Sequence, residues 1–364
     1  MRIGILTLPL RSNYGGILQA YALQTVLEKI GHEVQVIGMD NIRALPPFYV
    51  YFCRLFRKFV LRQDVHVFSE RDNNRYVRTV FGEMQRFIDL YIHMSHMQFP
   101  DGISSSVFDT IIVGSDQIWR RDYFCSDYHR DMGDAFLYFT KEWNIRRIAY
   151  AASFGIDEWD YDKEETCKCA EMVNYFAAIG VRESSGIDLC QKYLRCEAVH
   201  VLDPTLLLEK DDYMQLVYQP SRCEQAGLLS YILDPSDEKL FFVQRMAQET
   251  STTSFSVIAY GANEVMPSVE SWLKGFNDAQ FVVTDSFHAC VFSLIFNKPF
   301  IVIANKRRGL ARMESLLHMF NQEYRLISDV DGFVLTDEVR KAPNAELSVQ
   351  KSISLDFLKQ ALNY

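Results

Sequence analysis

Short apolar runs rich in β-branched and aromatic residues recur along the chain at 3–8, 33–39, 110–114, 147–153, 178–182 and 198–202, then at 228–233, 255–260, 281–284 and 300–304. Stretches with helical spacing, such as ILQAYALQTVLEKIG after the first run, separate them. Strand alternating with helix is the pattern of parallel sheets flanked by helices, because a parallel pair needs a long crossover and that crossover is usually a helix. Each half of the chain holds enough runs for its own doubly wound sheet. The pattern therefore predicts an α/β protein of two Rossmann-like lobes facing a central cleft, at 1–205 and 206–364, with the crossing in 204–227 at Pro204, Pro220 and Gly227. The long helical interval 41–106 is predicted as an insert in the first lobe.

Length agrees with two lobes, since 364 residues exceed the roughly 250–300 at which single cores stop growing. A composition of 48% hydrophobic and 23% charged residues supports large cores. The net charge of −9 argues against a general nucleic-acid binder, which needs a basic surface to displace counterions. The eight cysteines show no CxxC pair and no His/Cys cluster at zinc spacing, so no metal site is expected. The start, MRIGILTLPL, reads as a strand rather than a signal or a membrane span, so a cytoplasmic protein with reduced thiols is expected.

The insert changes the picture locally. No acid lies between Asp40 and Asp64, while Arg43, Arg54, Arg57, Lys58 and Arg62 interleave with Phe48, Tyr49, Tyr51, Phe52, Leu55, Phe56 and Phe59. Two readings stand: a helix packed on the first lobe with its basic face in water, or an interfacial helix touching anionic lipid, a peripheral contact with the membrane's inner face.

In doubly wound sheets ligands bind beyond the carboxyl ends of the strands, so candidate chemistry is sought in the loops that follow each run. The first run leads to Asn13, Gly15, Gly16 and Gln19, where glycines at a helix N-terminus let a ligand approach free N–H groups or simply make a tight turn. FDTIIVGSDQIW delivers Ser115, Asp116, Gln117 and Trp119, polar groups plus an indole that suit a sugar hydroxyl. Asp116 is a candidate to accept a hydroxyl proton, with helix capping as the plainer alternative. GVRESSG places Arg182 at a strand tip, as an anion clamp or a structural ion pair. In VTDSFHACVFSLIFNKPFIVIANKRRG, Ser286 and His288 open a helix, and Lys306, Arg307 and Arg308 form a basic loop after the next strand. Helix N-terminus, imidazole and basic loop converge as a phosphate-bearing ligand would need, although His288 alone also reads as a structural histidine.

NYGGILQAYALQ, FDTIIVGSDQIW, IAYAASFG, GVRESSG, VLDPTLLL and VTDSFHACVFSLIFNKPFIVI together resemble, in order, the polysaccharide pyruvyl transferase family. The resemblance implies a glycosyltransferase-B-like fold and transfer of a pyruvyl group from phosphoenolpyruvate to sugar hydroxyls, often as a cyclic ketal. The acceptor would be a polysaccharide, such as capsule or exopolysaccharide, or its lipid-linked precursor. Phosphoenolpyruvate is the co-substrate, and no other cofactor is implied. Carried onto this chain, the donor-binding groups are Arg182, Ser286, His288 and the 306–308 cations, with His288 and Asp116 as catalytic candidates. The second lobe is then the donor side. Asn13, Gly15, Gly16, Gln19, Ser115, Gln117 and Trp119 form the expected acceptor side in the first lobe. Many members carry Arg-Leu-His where this chain has Ser286-Phe287-His288, so Lys306, Arg307 or Arg308 is expected to supply the missing cation. The rival readings are a nucleotide-sugar-dependent glycosyltransferase and a non-catalytic carbohydrate-binding protein of the same fold.

Overall fold

The computed structural model describes residues 1–38, 45–95, 97, 99–217, 227–259, 261 and 264–362. The expectations placed on 39, 41–44, 220, 223 and 260 lie outside them. Seven strands form the first sheet: β1 (Arg2–Leu6), β2 (Glu33–Ile37), β3 (Met94–Ser95), β4 (Thr110–Val113), β5 (Arg146–Ala152), β6 (Phe176–Val181) and β7 (Val199–His200). Five form the second: β8 (Leu228–Tyr231), β9 (Ser254–Ser256), β10 (Phe281–Thr284), β11 (Phe300–Ile303) and β12 (Leu326–Ile327). All pairings are parallel. Every residue of β4, β8, β10 and β11 is buried, which is why these segments read as continuous apolar runs and not as alternation.

The strand orders are β3-β2-β1-β4-β5-β6-β7 and β12-β11-β10-β8-β9. Each order reverses once, between β1 and β4 and between β8 and β10, and these are the points where an open parallel sheet leaves a crevice at its carboxyl edge. Helix α1 (Tyr14–Lys29) follows β1 into the contact between the lobes. Its Asn13 cap accepts a hydrogen bond from Gly15 N, and the Tyr14 ring stacks on Trp272 of the second lobe at 5.5 Å. One apolar core runs through both lobes, from Ile3 and Leu23 to Trp272 and Phe292, and each sheet has a separate core on its far face. The lobes are thus joined, and the expected cleft is a partly open cavity between them.

The insert consists of α2 (Phe48–Phe59), α3 (Ser69–Val80), α4 (Gly82–Tyr91) and the edge strand β3. The last helix, Ser348–Leu362, was expected in the second lobe with everything after 206 and packs instead on the first sheet. Arg146 Nε donates to Ala361 O, Leu202 N donates to Ser354 Oγ at 2.9 Å, and Phe357 lies against Tyr150 and Gly180.

Candidate functional site

Between the carboxyl edges of the two sheets lies a cavity of about 350 Å³. The first lobe contributes Ser12, Asn13, Gly15, Gln117 and Tyr123, from the loops after β1 and β4 and the helix that follows. The second contributes Ser286, Phe287 and His288 at the start of the helix Phe287–Ile295, Asn305 and Arg308 after β11, and Arg312 in the helix Ala311–Met319.

His288 is fixed from two sides. Its ring rests on Gly15 so closely that a Cβ there would lie 1.9 Å from Nδ1, which is why the position carries no side chain. Its Nε2 is 3.7 Å from Asp203 Oδ2, an ion-pair distance too long for a hydrogen bond. The helix N-terminus and basic loop, read alone, had not suggested a carboxylate so near His288. Ser286 caps that helix, its Oγ accepting from Ala289 N.

Asp203 is where the buried charges meet. Its Oδ2 accepts from Arg182 Nη1 at 3.1 Å and from Gln19 Nε2, and its Oδ1 accepts from Thr205 N and Oγ1. Burial alone would raise its carboxyl, but His288 and Arg182 together hold it well below the usual carboxylate range. From the sequence, Asp203 in VLDPTLLL reads as a hinge turn as much as a ligand contact, and only its neighbours in space show the charge cluster.

Several expected contact residues stand behind the cavity wall. Arg182 is almost wholly buried, paired to Asp203 and 3.9 Å from Asp116, with its guanidinium over the Phe287 ring at 4.7 Å. It does not line the cavity and positions Asp203, though its Nε and Nη2 have no hydrogen-bond partner among the described residues. Asp116 does not line it either: it accepts from Asn13 Nδ2 at 3.3 Å and from Gln117 N at 2.9 Å, so it orients residues that do. Gln19, Gly16 and Ser115 lie in the same second layer. Trp119 offers no stacking platform, because its ring is fully buried against Phe136 at 4.4 Å and its Nε1 donates to Ala135 O.

The basic loop also departs from expectation. Lys306 and Arg307 are exposed and do not reach the cavity. Arg308 does, but Asp234 holds its Nε and Nη2 at 2.7 and 3.1 Å. Asp285 accepts from Lys239 Nζ, Leu233 N and Asn305 Nδ2, pinning the loops after β8, β10 and β11 together.

A further cation beside this loop, Arg312, was missed by sequence reasoning. It lines the cavity, is 7% exposed, donates from Nη2 to Arg308 O, and leaves Nε without a partner. Burial, reinforced by Arg182, brings it down to about 10, so it remains charged at neutral pH. Its guanidinium lies 5.4 Å from the Phe287 ring, over which Arg182 also sits. Nothing in the sequence marked Arg312: it lies past the turn at Gly309, inside the helix Ala311–Met319, and not in the loop that directly follows a strand. Among the described residues no group of three His, Cys, Asp or Glu could hold a metal ion.

The structure is similar to the Staphylococcus aureus MnaA-UDP co-structure, with a TM-score of 0.52, 12% identity, and coverage of 100% of this chain and 97% of that one. It is also similar to a candidate UDP-N-acetylglucosamine 2-epimerase from Listeria monocytogenes, with a TM-score of 0.50, 9% identity, and coverage of 99% and 95%. At such identities the likeness shows the fold, a glycosyltransferase-B-type arrangement of two lobes. No curated protein matches the sequence. The sequence profile named polysaccharide pyruvyl transferase matches residues 13–307, a span that holds every site residue described above except Ser12, Arg308 and Arg312, and the chain belongs to that family.

Proposed function

We propose that the protein transfers a pyruvyl group from phosphoenolpyruvate to two hydroxyls of a sugar in a polysaccharide or its lipid-linked precursor, forming a pyruvate ketal. The observation that carries this reading is Arg312: a buried cation, open on Nε, beside Arg182 and the N-terminus of the helix Phe287–Ile295, in a cavity sized for a small anion. A guanidinium with an open donor beside a helix N-terminus favours a compact ligand bearing carboxylate and phosphate. The second lobe then holds the donor, and Asn13 and Gln117 of the first lobe meet the acceptor hydroxyls.

In this scheme the methylene carbon of phosphoenolpyruvate takes a proton, leaving its central carbon electrophilic. One sugar hydroxyl adds and loses its proton. The bond from that carbon to the phosphate oxygen then breaks, and the second hydroxyl closes the ketal. One hydroxyl proton ends on the new methyl group and the other on the released phosphate, so phosphoenolpyruvate is the only co-substrate the balance needs. His288, in the cavity with Asp203 behind it, is the group suited to carry the proton, and Arg312 the group suited to neutralise the leaving phosphate.

The test is to incubate the protein with phosphoenolpyruvate and a panel of soluble, nucleotide-linked and lipid-linked glycans, following phosphate release and glycan mass. Phosphate release matched by a pyruvyl mass gain is the expected result. Protection from proteolysis by nucleotide sugars but not by phosphoenolpyruvate, with no phosphate released, overturns it in favour of a nucleotide-sugar enzyme.

A further inference from the structure

Helix α2 sits on the protein the wrong way round for a helix in water. Its attachment is narrow: Arg54 makes a two-pronged ion pair with Glu70, with N–O distances of 2.6 and 2.7 Å, and reaches Val67 O, and the Tyr51 ring lies 5.5 Å from that of Phe68. None of its residues is buried. Phe48, Tyr49, Phe52, Phe56 and Phe59 fall within about 100° of its circumference at 3.6 residues per turn, and all five face solvent, Phe48 at 83% and Phe59 at 72% exposure. Val60 and Leu61 extend the apolar surface past its end. Water-exposed aromatic surface of this extent on one helix face marks a contact surface.

The charges around the helix say which kind. Arg57 and Lys58 flank the aromatic stripe on its two sides, and neither has an acidic partner among the described residues. Arg71, Arg75 and Arg78 line one exposed face of α3, with Leu45, just before α2, against them. Residues 45–80 carry seven Lys/Arg against three Asp/Glu, in a chain whose net charge is −9. Aromatic stripe, flanking cations and a plane-parallel helix about 18 Å long are what an anionic membrane surface accommodates, rings among the acyl chains and long basic side chains reaching back to headgroups. No described helix is long and apolar enough to cross a membrane, so the contact lies on the surface.

We infer that α2, with the basic face of α3, docks this protein on anionic lipid. The docking surface is tied to the cavity: Val80 O at the end of α3 accepts from Met266 N at 2.8 Å, and Met266 lines the cavity. The inference stands on the insert alone and does not depend on the reaction proposed above.

The experiment is sedimentation of the whole chain with vesicles of phosphatidylcholine alone or mixed with phosphatidylglycerol. Binding is expected only to the mixed vesicles, falling as salt is raised. Each cation near an anionic surface changes partitioning about fivefold, so Arg57→Gln with Lys58→Gln together lower it roughly 25-fold. Phe52→Ser with Phe59→Ser lowers it at least about tenfold through lost apolar burial. All four positions are exposed, so both double variants keep the circular dichroism of the parent and its turnover of a soluble acceptor. Lack of binding to either vesicle overturns the inference, as does binding that neither double variant weakens. A concentration-dependent dimer that Phe52→Ser with Phe59→Ser dissolves, without lipid binding, also overturns it and assigns the face to a second copy. Loss of phosphoenolpyruvate turnover with lipid binding intact would sink the reaction and leave this inference standing.

Discussion

A buried guanidinium that has given up water and left Nε unpaired weakens the fold that holds it, while a flexible apolar side chain of similar length would not. Arg312→Met is therefore expected to stabilise the empty protein by about 1–2 kcal/mol in denaturant unfolding. The same change should raise the KM for phosphoenolpyruvate by about 10–100-fold, the scale of a lost charged hydrogen bond. A structural arginine would show the opposite signs: lower stability with unchanged KM. Asp203 behaves as the counterpart. Its folded carboxyl lies below the unfolded value of about 3.9, so its contribution is complete above about pH 4 and fades as the pH falls further. Asp203→Asn is expected to cost about 3–5 kcal/mol near neutrality, because Arg182 is left buried without its charge partner. Unfolding curves from neutral to acid pH should show the loss shrinking in acid, and a constant loss would count against the ion pair. Residues at strand tips were legible as site candidates because a doubly wound sheet makes that edge the binding edge. Which of them face the cavity was not legible: Arg308 is neutralised by Asp234, 74 positions away in the chain, and Arg182 by Asp203 across two strands.

At the scale of elements, strands buried on both faces announce themselves, so β10 matches its predicted run at both ends and β4, β8 and β11 lie within theirs. β3 and β12 do not: each is a two-residue strand at a sheet edge, and no apolar run marks 94–95 or 326–327. The last helix was counted with the second lobe by its place in the chain, because membership of the first depends on contacts with Leu202, Leu208 and Arg146 far upstream. That packing predicts a lopsided response. Leu358 is fully buried, so Leu358→Ala is expected to cost about 2–5 kcal/mol. Amide hydrogen exchange should rise in β5 and β6 before it rises in β10 and β11. Equal acceleration of both sheets would mean that the helix stabilises the molecule as one unit.

Across the whole molecule, the lobes meet where His288 rests on Gly15 and Gly309 lies under the carbonyl of Gly155, with no room for a Cβ at either contact. Gly15→Ala would favour α1 as an isolated helix, since alanine is the better helix former. In the assembled protein it drives a methyl group into the imidazole. The expected outcome is a folded protein whose turnover falls about a hundredfold or more, the scale for a displaced acid, and whose radius of gyration by X-ray scattering is no smaller than the parent's. Near-normal turnover would show that His288 can leave Gly15 without loss.

The return of the helix Ser348–Leu362 to the first sheet also sets an order of events during synthesis. The strands it covers leave the ribosome early, but their cover emerges only after some 140 further residues, roughly 10–30 s later at ordinary elongation rates. In that interval Tyr150, Val201 and Leu202 lack their partners on the last helix. The second lobe is made whole while the first still waits. The growing chain thus shows an incomplete apolar surface to whatever attends nascent proteins, and a premature stop anywhere after the second sheet would release a molecule with one finished lobe and one open one.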